Sequence, residues 1–147
     1  MAAFVVGRSI SERTVLLDSG AFVARADPAD QHHHTAVETF QGLKDARYPL
    51  CVTRPTLWET FTRLRYKVGF ETAIEVFAFV AQEGIEVVDY ADGDEINARA
   101  VLSLYRGVSL SFVDALNRAI SSRLGLNTAF AYDGHYRTMG FDVYPQI

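Results

Sequence analysis

Apolar residues follow two spacings along this chain, and the alternation between them predicts the order of its elements. Short apolar runs rich in β-branched residues occur at Thr14 to Leu17, Leu50 to Thr53, Ile85 to Val88, Thr128 to Ala131 and Phe141 to Val143, and each reads as a strand. Between them, apolar positions three and four apart predict helices at Ala21 to Ala26, Gln31 to Ala46, Pro55 to Gly69, Glu71 to Gln82, Asp94 to Tyr105 and Ser111 to Leu124. Asp27-Pro28 marks a turn, Asp30 stands where it can cap the second helix, Pro55 suits a first helical turn, and Gly84 and Gly125 close two of the others. Strands separated by helices on this scale imply parallel pairing with right-handed crossovers. The expected fold is therefore a three-layer, doubly wound α/β domain with a mostly parallel sheet of about five strands and helices on both faces. In such sheets ligands bind outside the carboxyl ends of the strands.

Composition narrows the class. The 147 residues are 49% hydrophobic and 12% aromatic, which suits one compact domain over residues 1–147, with 1–13 as an N-terminal extension. The apolar run Ala2 to Val6 is far shorter than the roughly 18 residues of a membrane span. Arg8, Glu12 and Arg13 follow it too soon for a secretory signal, so no membrane is expected and the cytoplasm is the expected compartment. Cys51, the sole cysteine, excludes an internal disulfide and reads as a small buried residue between Leu50 and Val52. Eighteen acidic against fourteen basic residues give a net charge of -4, which argues against a domain that coats nucleic acid without specificity. A nuclease stays open, because carboxylates gathered at a metal site lower the net charge without removing local basic surface. The stretch from Arg54 to Lys67 holds Arg54, Arg63, Arg65 and Lys67 against Glu59 alone.

Four carboxylates carry the candidate chemistry. Asp18 ends the first apolar run, Glu59 follows Leu57-Trp58, Asp114 follows Phe112-Val113, and Asp133 follows Phe130-Ala131-Tyr132. Carboxylates leave water at a cost of several kcal/mol unless something compensates them, so four in apolar settings point to one shared compensator, a divalent cation. Asp18 and Asp133 lie at expected strand ends and Glu59 and Asp114 in the first halves of helices, so all four can face the same crevice. Each has a plainer reading. Asp18 can cap a helix, Glu59 and Asp114 can form i,i+4 surface pairs with Arg63 and Arg118, and Asp133-Gly134 can be a turn. Oxygen donors without a Cys/His set favour Mg2+ or Mn2+ over zinc. Ions of this kind activate water and stabilise charge on a phosphoryl group. Asp18, Glu59 and Asp114 are the expected ligands, Asp133 binds a second ion or positions water, and Ser19 and Ser111 are polar supports.

The segments Val15-Leu16-Leu17-Asp18-Ser19, Asp30-Gln31-His32 to Thr35-Ala36, Thr53 to Glu59, Leu110 to Ala115 and Ala131 to Tyr136 follow one another in an order that resembles the PIN domain. Within that family they are similar to VapC-type toxins of toxin-antitoxin pairs, and the resemblance runs from Thr14 to Val143. It implies catalytic, metal-binding carboxylates at Asp18, Glu59, Asp114 and Asp133. It also implies an Mg2+- or Mn2+-dependent endoribonuclease, homodimeric, and held inactive by a cognate antitoxin protein. Gly20 and Ala131 depart from the polar residues that many members carry two positions after the first Asp and two before the last. Both departures change the hydrogen bonding around the ligands, which orients them.

Other features take lesser weight. His32-His33-His34 point about 100° apart on a helix and cannot all meet one ion. His135 stands close enough to Asp133 in sequence to support the chemistry as a general acid. Arg63, Arg65, Lys67, Arg118 and Arg123 are candidates to track an RNA backbone. The stretch Glu71 to Gln82 is apolar over more of its circumference than packing against a sheet requires, which fits a partner helix; by the resemblance, that partner is the antitoxin. Two other classes compete. One is a catalytically silent PIN-like module that binds protein or RNA. The other is a phosphohydrolase of small esters, but the haloacid dehalogenase pattern needs a second Asp where Gly20 stands, and no Gly-rich phosphate loop is present.

Overall fold

The computed structural model describes residues 10–146; residues 1–9 and 147 lie outside the described residues, and with them most of the expected N-terminal extension. The elements run β1 (Val15–Leu17), α1 (Ser19–Ala26), α2 (His33–Asp45), β2 (Leu50–Thr53), α3 (Arg54–Lys67), α4 (Phe70–Gln82), β3 (Glu86–Val88), α5 (Asp92–Leu104), α6 (Phe112–Leu124), β4 (Thr128–Phe130), α7 (His135–Thr138) and β5 (Asp142–Tyr144). The strands form one sheet in the order β3-β2-β1-β4-β5, with every pairing parallel. The chain steps from β1 through β2 to β3 on one side of β1, then crosses back to β4 and β5 on the other. That reversal of strand order opens a crevice at the carboxyl ends of β1 and β4.

Alternation along β1 divides the core. Val15 and Leu17 face a cluster that takes in Phe22, Phe40, Leu57, Leu64, Val76 and Phe130, so α1 to α4 cover this side of the sheet. Leu16 faces the opposite cluster with Cys51, Ala129, Tyr136, Met139 and Phe141, where α7 and the partly buried residues of α5 and α6 lie. All three residues of β1 are fully buried. This is the signature of a parallel strand covered on both faces and explains why the run carries no polar residue. Among the described residues no helix is long and apolar enough to cross a membrane.

Local chemistry starts the two helices that matter most for the site. At α3, Thr53 caps the first turn by accepting from the Thr56 amide, and Pro55 occupies that turn. At α6, Ser111 and Asp114 form a capping box, and Gly125 ends the helix at φ +75°. Most element boundaries shift by one or two residues from the sequence expectation, and three differences have a local cause. The second helix begins at His33, because Asp30 Oδ1 accepts from the His32 amide in a turn that precedes the helix. The last strand is Asp142–Tyr144, set by its register against Thr128 to Phe130. Helix α7 follows Asp133-Gly134, where the sequence suggests only a turn, since four residues are too few to show a helical period.

The central strand should dominate stability. Leu16→Ala is expected to lose about 2–5 kcal/mol in urea denaturation, whereas Leu104→Ala, at a side chain 74% exposed, should stay within about 0.5 kcal/mol of wild type.

Candidate active site

A cleft of 390 Å³ opens at the carboxyl ends of β1 and β4, lined by Asp18, Glu59, Asp114 and Asp133 together with Ser19, Gly20, Arg63, Ser109, Ser111, Tyr132 and His135. All four sequence-derived carboxylates therefore meet. They meet in different settings: Asp18 and Asp114 are buried, Glu59 is half-buried and Asp133 is exposed, so the apolar neighbours of Asp133 in sequence do not surround it in space.

Strand β1 delivers Asp18 directly. Its backbone amide donates to the Phe130 carbonyl at 3.0 Å, which stitches the end of β1 to the end of β4. Asp18 occupies the position before α1 but makes no side-chain capping bond to the helix, and its carboxylate lines the cleft. Neither i,i+4 surface pair forms among the described residues. Arg63 Nη1 donates instead to Ser19 Oγ at 2.7 Å, and Arg118 turns to Ser122 Oγ and to the ring of Phe141. Asp114 serves its helix and the cleft together: its amide donates to Ser111 Oγ at 3.0 Å, and its Oδ2 accepts from the Ser111 amide at 3.2 Å.

Short helix α7 supplies the remaining groups. The His135 amide donates to Asp133 Oδ1 at 2.8 Å, which starts the turn. The His135 ring turns inward, with Nδ1 3.3 Å from Asp114 Oδ2 and 3.2 Å from Asp133 Oδ1. One ligand atom each from Asp114, Asp133 and His135 lies within 4.8 Å of the others, a spacing that a single cation can bridge. One residue on, the Tyr136 hydroxyl is fully buried beneath the cluster, 3.0 Å from Asp18 Oδ1 and 3.4 Å from Asp114 Oδ1. Asn117 Nδ2 donates to this hydroxyl at 2.9 Å.

The electrostatics follow from burial. Desolvation, then the Asp114 charge and more weakly Glu59, push the Asp18 carboxyl up to about 6, against the lowering effect of hydrogen bonds from Tyr136 and the Ser19 backbone. Burial and the two carboxylates hold the Tyr136 phenol well above its ordinary range, so it remains a donor. Arg63 is the one lysine or arginine lining the cleft among the described residues, and its guanidinium bonds neutral Ser19. The pocket thus has an excess of negative charge that a divalent cation would neutralise, and its donors are the hard oxygens and single imidazole that such an ion accepts.

The model of the PIN domain matches residues 15–142. The chain belongs to the PIN domain family. It is 27% identical over 128 residues to the 23S rRNA-specific endonuclease VapC20 of Mycobacterium tuberculosis, covering 86% of this chain and 95% of that protein. The crystal structure of Mycobacterium tuberculosis VapC20, a sarcin-ricin loop cleaving toxin, matches with a TM-score of 0.77 at 25% identity, over 86% of this chain and 95% of that one. DNA-bound VapBC from Salmonella typhimurium shares the fold, with a TM-score of 0.63 at 18% identity over 88% of this chain and 96% of that one.

Not every residue singled out in the sequence reaches the cleft of this PIN domain. Arg65 lies over the Phe70 ring, Lys67 pairs with Asp30 and Asp27, and Arg123 pairs with buried Asp94. The three consecutive histidines diverge: His32 stacks on Tyr132, His33 Nδ1 meets the Ala24 carbonyl, and His34 faces Glu38. At Gly20 an added Cβ would lie 3.6 Å from Asp18 Oδ2, ordinary contact distance, so space does not demand glycine there. Sequence reasoning does not single out the side chains of Tyr136 and Asn117. Asn117 looks like an ordinary position in a helical pattern and Tyr136 like an aromatic residue after a turn, and only their partners, distant in sequence, reveal a polar role.

An acid whose folded-state pKa lies above its unfolded value binds its proton more tightly when folded, so its ionisation weakens the fold as pH rises from about 4 through 6. Without added metal, Asp18→Asn should therefore gain roughly 1–3 kcal/mol over wild type at pH 7, and the gain should vanish near pH 4. Urea titrations in EDTA at the two pH values check this; equal gains at both would contradict it.

Proposed function

We propose that this PIN domain is a metal-dependent endoribonuclease, the toxin of a toxin-antitoxin pair, and that Mg2+ or Mn2+ serves it. The observation that carries the reading is the meeting of buried Asp18 and Asp114 with Glu59, Asp133 and His135 in one cleft. Support comes from the relative of known activity, an rRNA endonuclease aligned over most of the chain. Asp18, Glu59 and Asp114 would hold the ion, while Asp133 and His135, whose donor atoms lie within 4.8 Å of Asp114, would hold a second or orient the attacking water. A divalent ion bound there supplies Lewis-acid stabilisation of a phosphoryl group and a more acidic water.

The side chains do the remaining work. Arg63 offers N–H donors to an RNA phosphate at the cleft, a bidentate geometry that lysine lacks. Ser19 holds its guanidinium in place through the 2.7 Å bond. Ser111 fixes the Asp114 carboxylate through the capping box. Water attacks the phosphorus, the bond to the 3'-oxygen breaks, and the proton released by water returns to solvent or to the leaving oxygen.

Partner surfaces support the toxin reading. Phe70, Ile74 and Phe77 on α4 remain exposed even though Ala73, Val76 and Val80 pack inward. An amphipathic antitoxin helix would cover that outer face in the usual helix-in-groove manner. A further apolar patch gathers Trp58, Tyr90 and Phe112 around a 270 Å³ hollow, and we assign it to a second copy of this chain in a homodimer. With RNA as substrate, the cytoplasm is the compartment we propose.

Antitoxin-free protein incubated with structured RNA should cut at discrete positions in Mg2+ or Mn2+ and not in EDTA. Asp114→Asn should lose about 100-fold or more in rate. Cleavage that persists in EDTA, or at full rate in this variant, would remove the metal-dependent reading. Arg63→Gln should weaken RNA binding uniformly across sequences and reduce the slope of log affinity against log salt by about 1, measured on the Asp114→Asn background so that substrate survives.

A further inference from the structure

Beneath the carboxylates lies a closed polar network. Thr53 Oγ1 donates to Asn117 Oδ1 at 2.6 Å, and Asn117 Nδ2 donates to both Thr56 Oγ1 at 2.8 Å and Tyr136 Oη at 2.9 Å. The two threonine hydroxyls are 3.1 Å apart. Thr53, Thr56, Asn117 and Tyr136 are all fully buried, and among the described residues the one buried side-chain polar atom without a partner is Ser121 Oγ, which is outside this network.

The direction of the hydrogen bonds follows from the inventory of donors. The amide of Asn117 has its oxygen and both N–H groups engaged, so it cannot flip without breaking three bonds. Its N–H occupies a lone pair of Tyr136 Oη, leaving the single phenolic proton to point towards the carboxylates. Asp18 Oδ1, at 3.0 Å, takes that proton, and Asp114 Oδ1, at 3.4 Å, lies against the same oxygen. The Oδ2 atoms stay on the cleft side, beside Gly20 in one case and His135 in the other.

We infer that Tyr136 is a positioning residue of the nuclease site: its buried hydroxyl, held by Asn117, clamps the inner edges of Asp18 and Asp114 and so presents their outer oxygens to a cation. The inference rests on the metal-dependent reading above and goes beyond it, because neither Tyr136 nor Asn117 lines the cleft. A phenylalanine would fill the same space. It would not fix either carboxylate, and two like charges with nothing between them would turn apart.

Tyr136→Phe tests the hydroxyl alone. Calorimetric titration with Mn2+ should show affinity about 10- to 100-fold below wild type, the usual consequence of losing a partner that orients a metal ligand. Saturating Mn2+ should restore most of kcat, and KM for RNA should not change. Phe141→Leu serves as the control for packing, since its ring packs on Tyr136 with centroids 5.4 Å apart and is not among the residues lining the cleft; it should lower Tm and leave Mn2+ affinity intact. Asn117→Ala, should Tyr136→Phe prove insoluble, keeps the phenol but frees its orientation, and a fall in Mn2+ affinity in the same direction is expected. Unchanged Mn2+ affinity in the folded variants, with only Tm reduced, would overturn the positioning role. If wild type itself takes up no Mn2+ while Asp114→Asn behaves identically, the metal site fails and this inference with it.

Discussion

Asn117 sits fully buried where β2, α3, α6 and α7 converge, and its amide oxygen and both amide hydrogens are engaged. Thr53 ends β2, Thr56 lies in the first turn of the helix that carries Glu59, Asn117 shares α6 with Asp114, and Tyr136 lies on α7, directly after the turn that holds Asp133. The elements bearing three of the four carboxylates are thereby tied to one side chain, and Tyr136 extends the tie to Asp18. A buried polar group left unpaired costs about 1–3 kcal/mol, so such a network tolerates little displacement of any member. Apolar packing can hold two helices at a range of offsets. Directional bonds to one amide select a single offset, and a cleft that must place carboxylates within a few ångströms of one another depends on that selection.

The network works against a tension. Asp18 and Asp114 lie close together in a buried setting, no lysine or arginine among the described residues bonds either carboxylate, and the elevated pKa of Asp18 records the strain. Stability for this comes from elsewhere: β1 is buried on both faces, and aromatic residues such as Phe22, Phe40 and Phe130 pack closely under α1 and α2. Proteins commonly concentrate unfavourable charge at functional positions and offset it in the core.

Charge elsewhere is largely self-contained. Arg54 meets Asp89, Lys67 meets Asp27 and Asp30, and Arg123 meets Asp94. The basic stretch along α3 is thus mostly committed to structure, and Arg63 alone of its cations lines the cleft. Composition along a window cannot foresee this, because the acidic partners of Arg54 and Arg123 come from segments about 30 residues distant, as the positions of Asp89 and Asp94 show.

Alternation of apolar spacings determined the element order, the parallel sheet and the expectation that the cleft lies at strand ends, since burying one face of a helix or both faces of a strand leaves a period readable in the sequence. Asp18 and Asp114 were legible for a related reason: a charge buried beside apolar residues is costly, so it stands out from its neighbours in the sequence; Asp133 shows the same sequence pattern yet folds exposed. Sequence could not separate buried Asp18 from exposed Asp133, nor show which cation reaches the cleft. It could not distinguish Tyr136 and Asn117 from ordinary core residues. These distinctions depend on hydrogen bonds between residues 19 to 118 positions apart, and the direction of a bond across that separation exists only once the backbone has brought its donor and acceptor together.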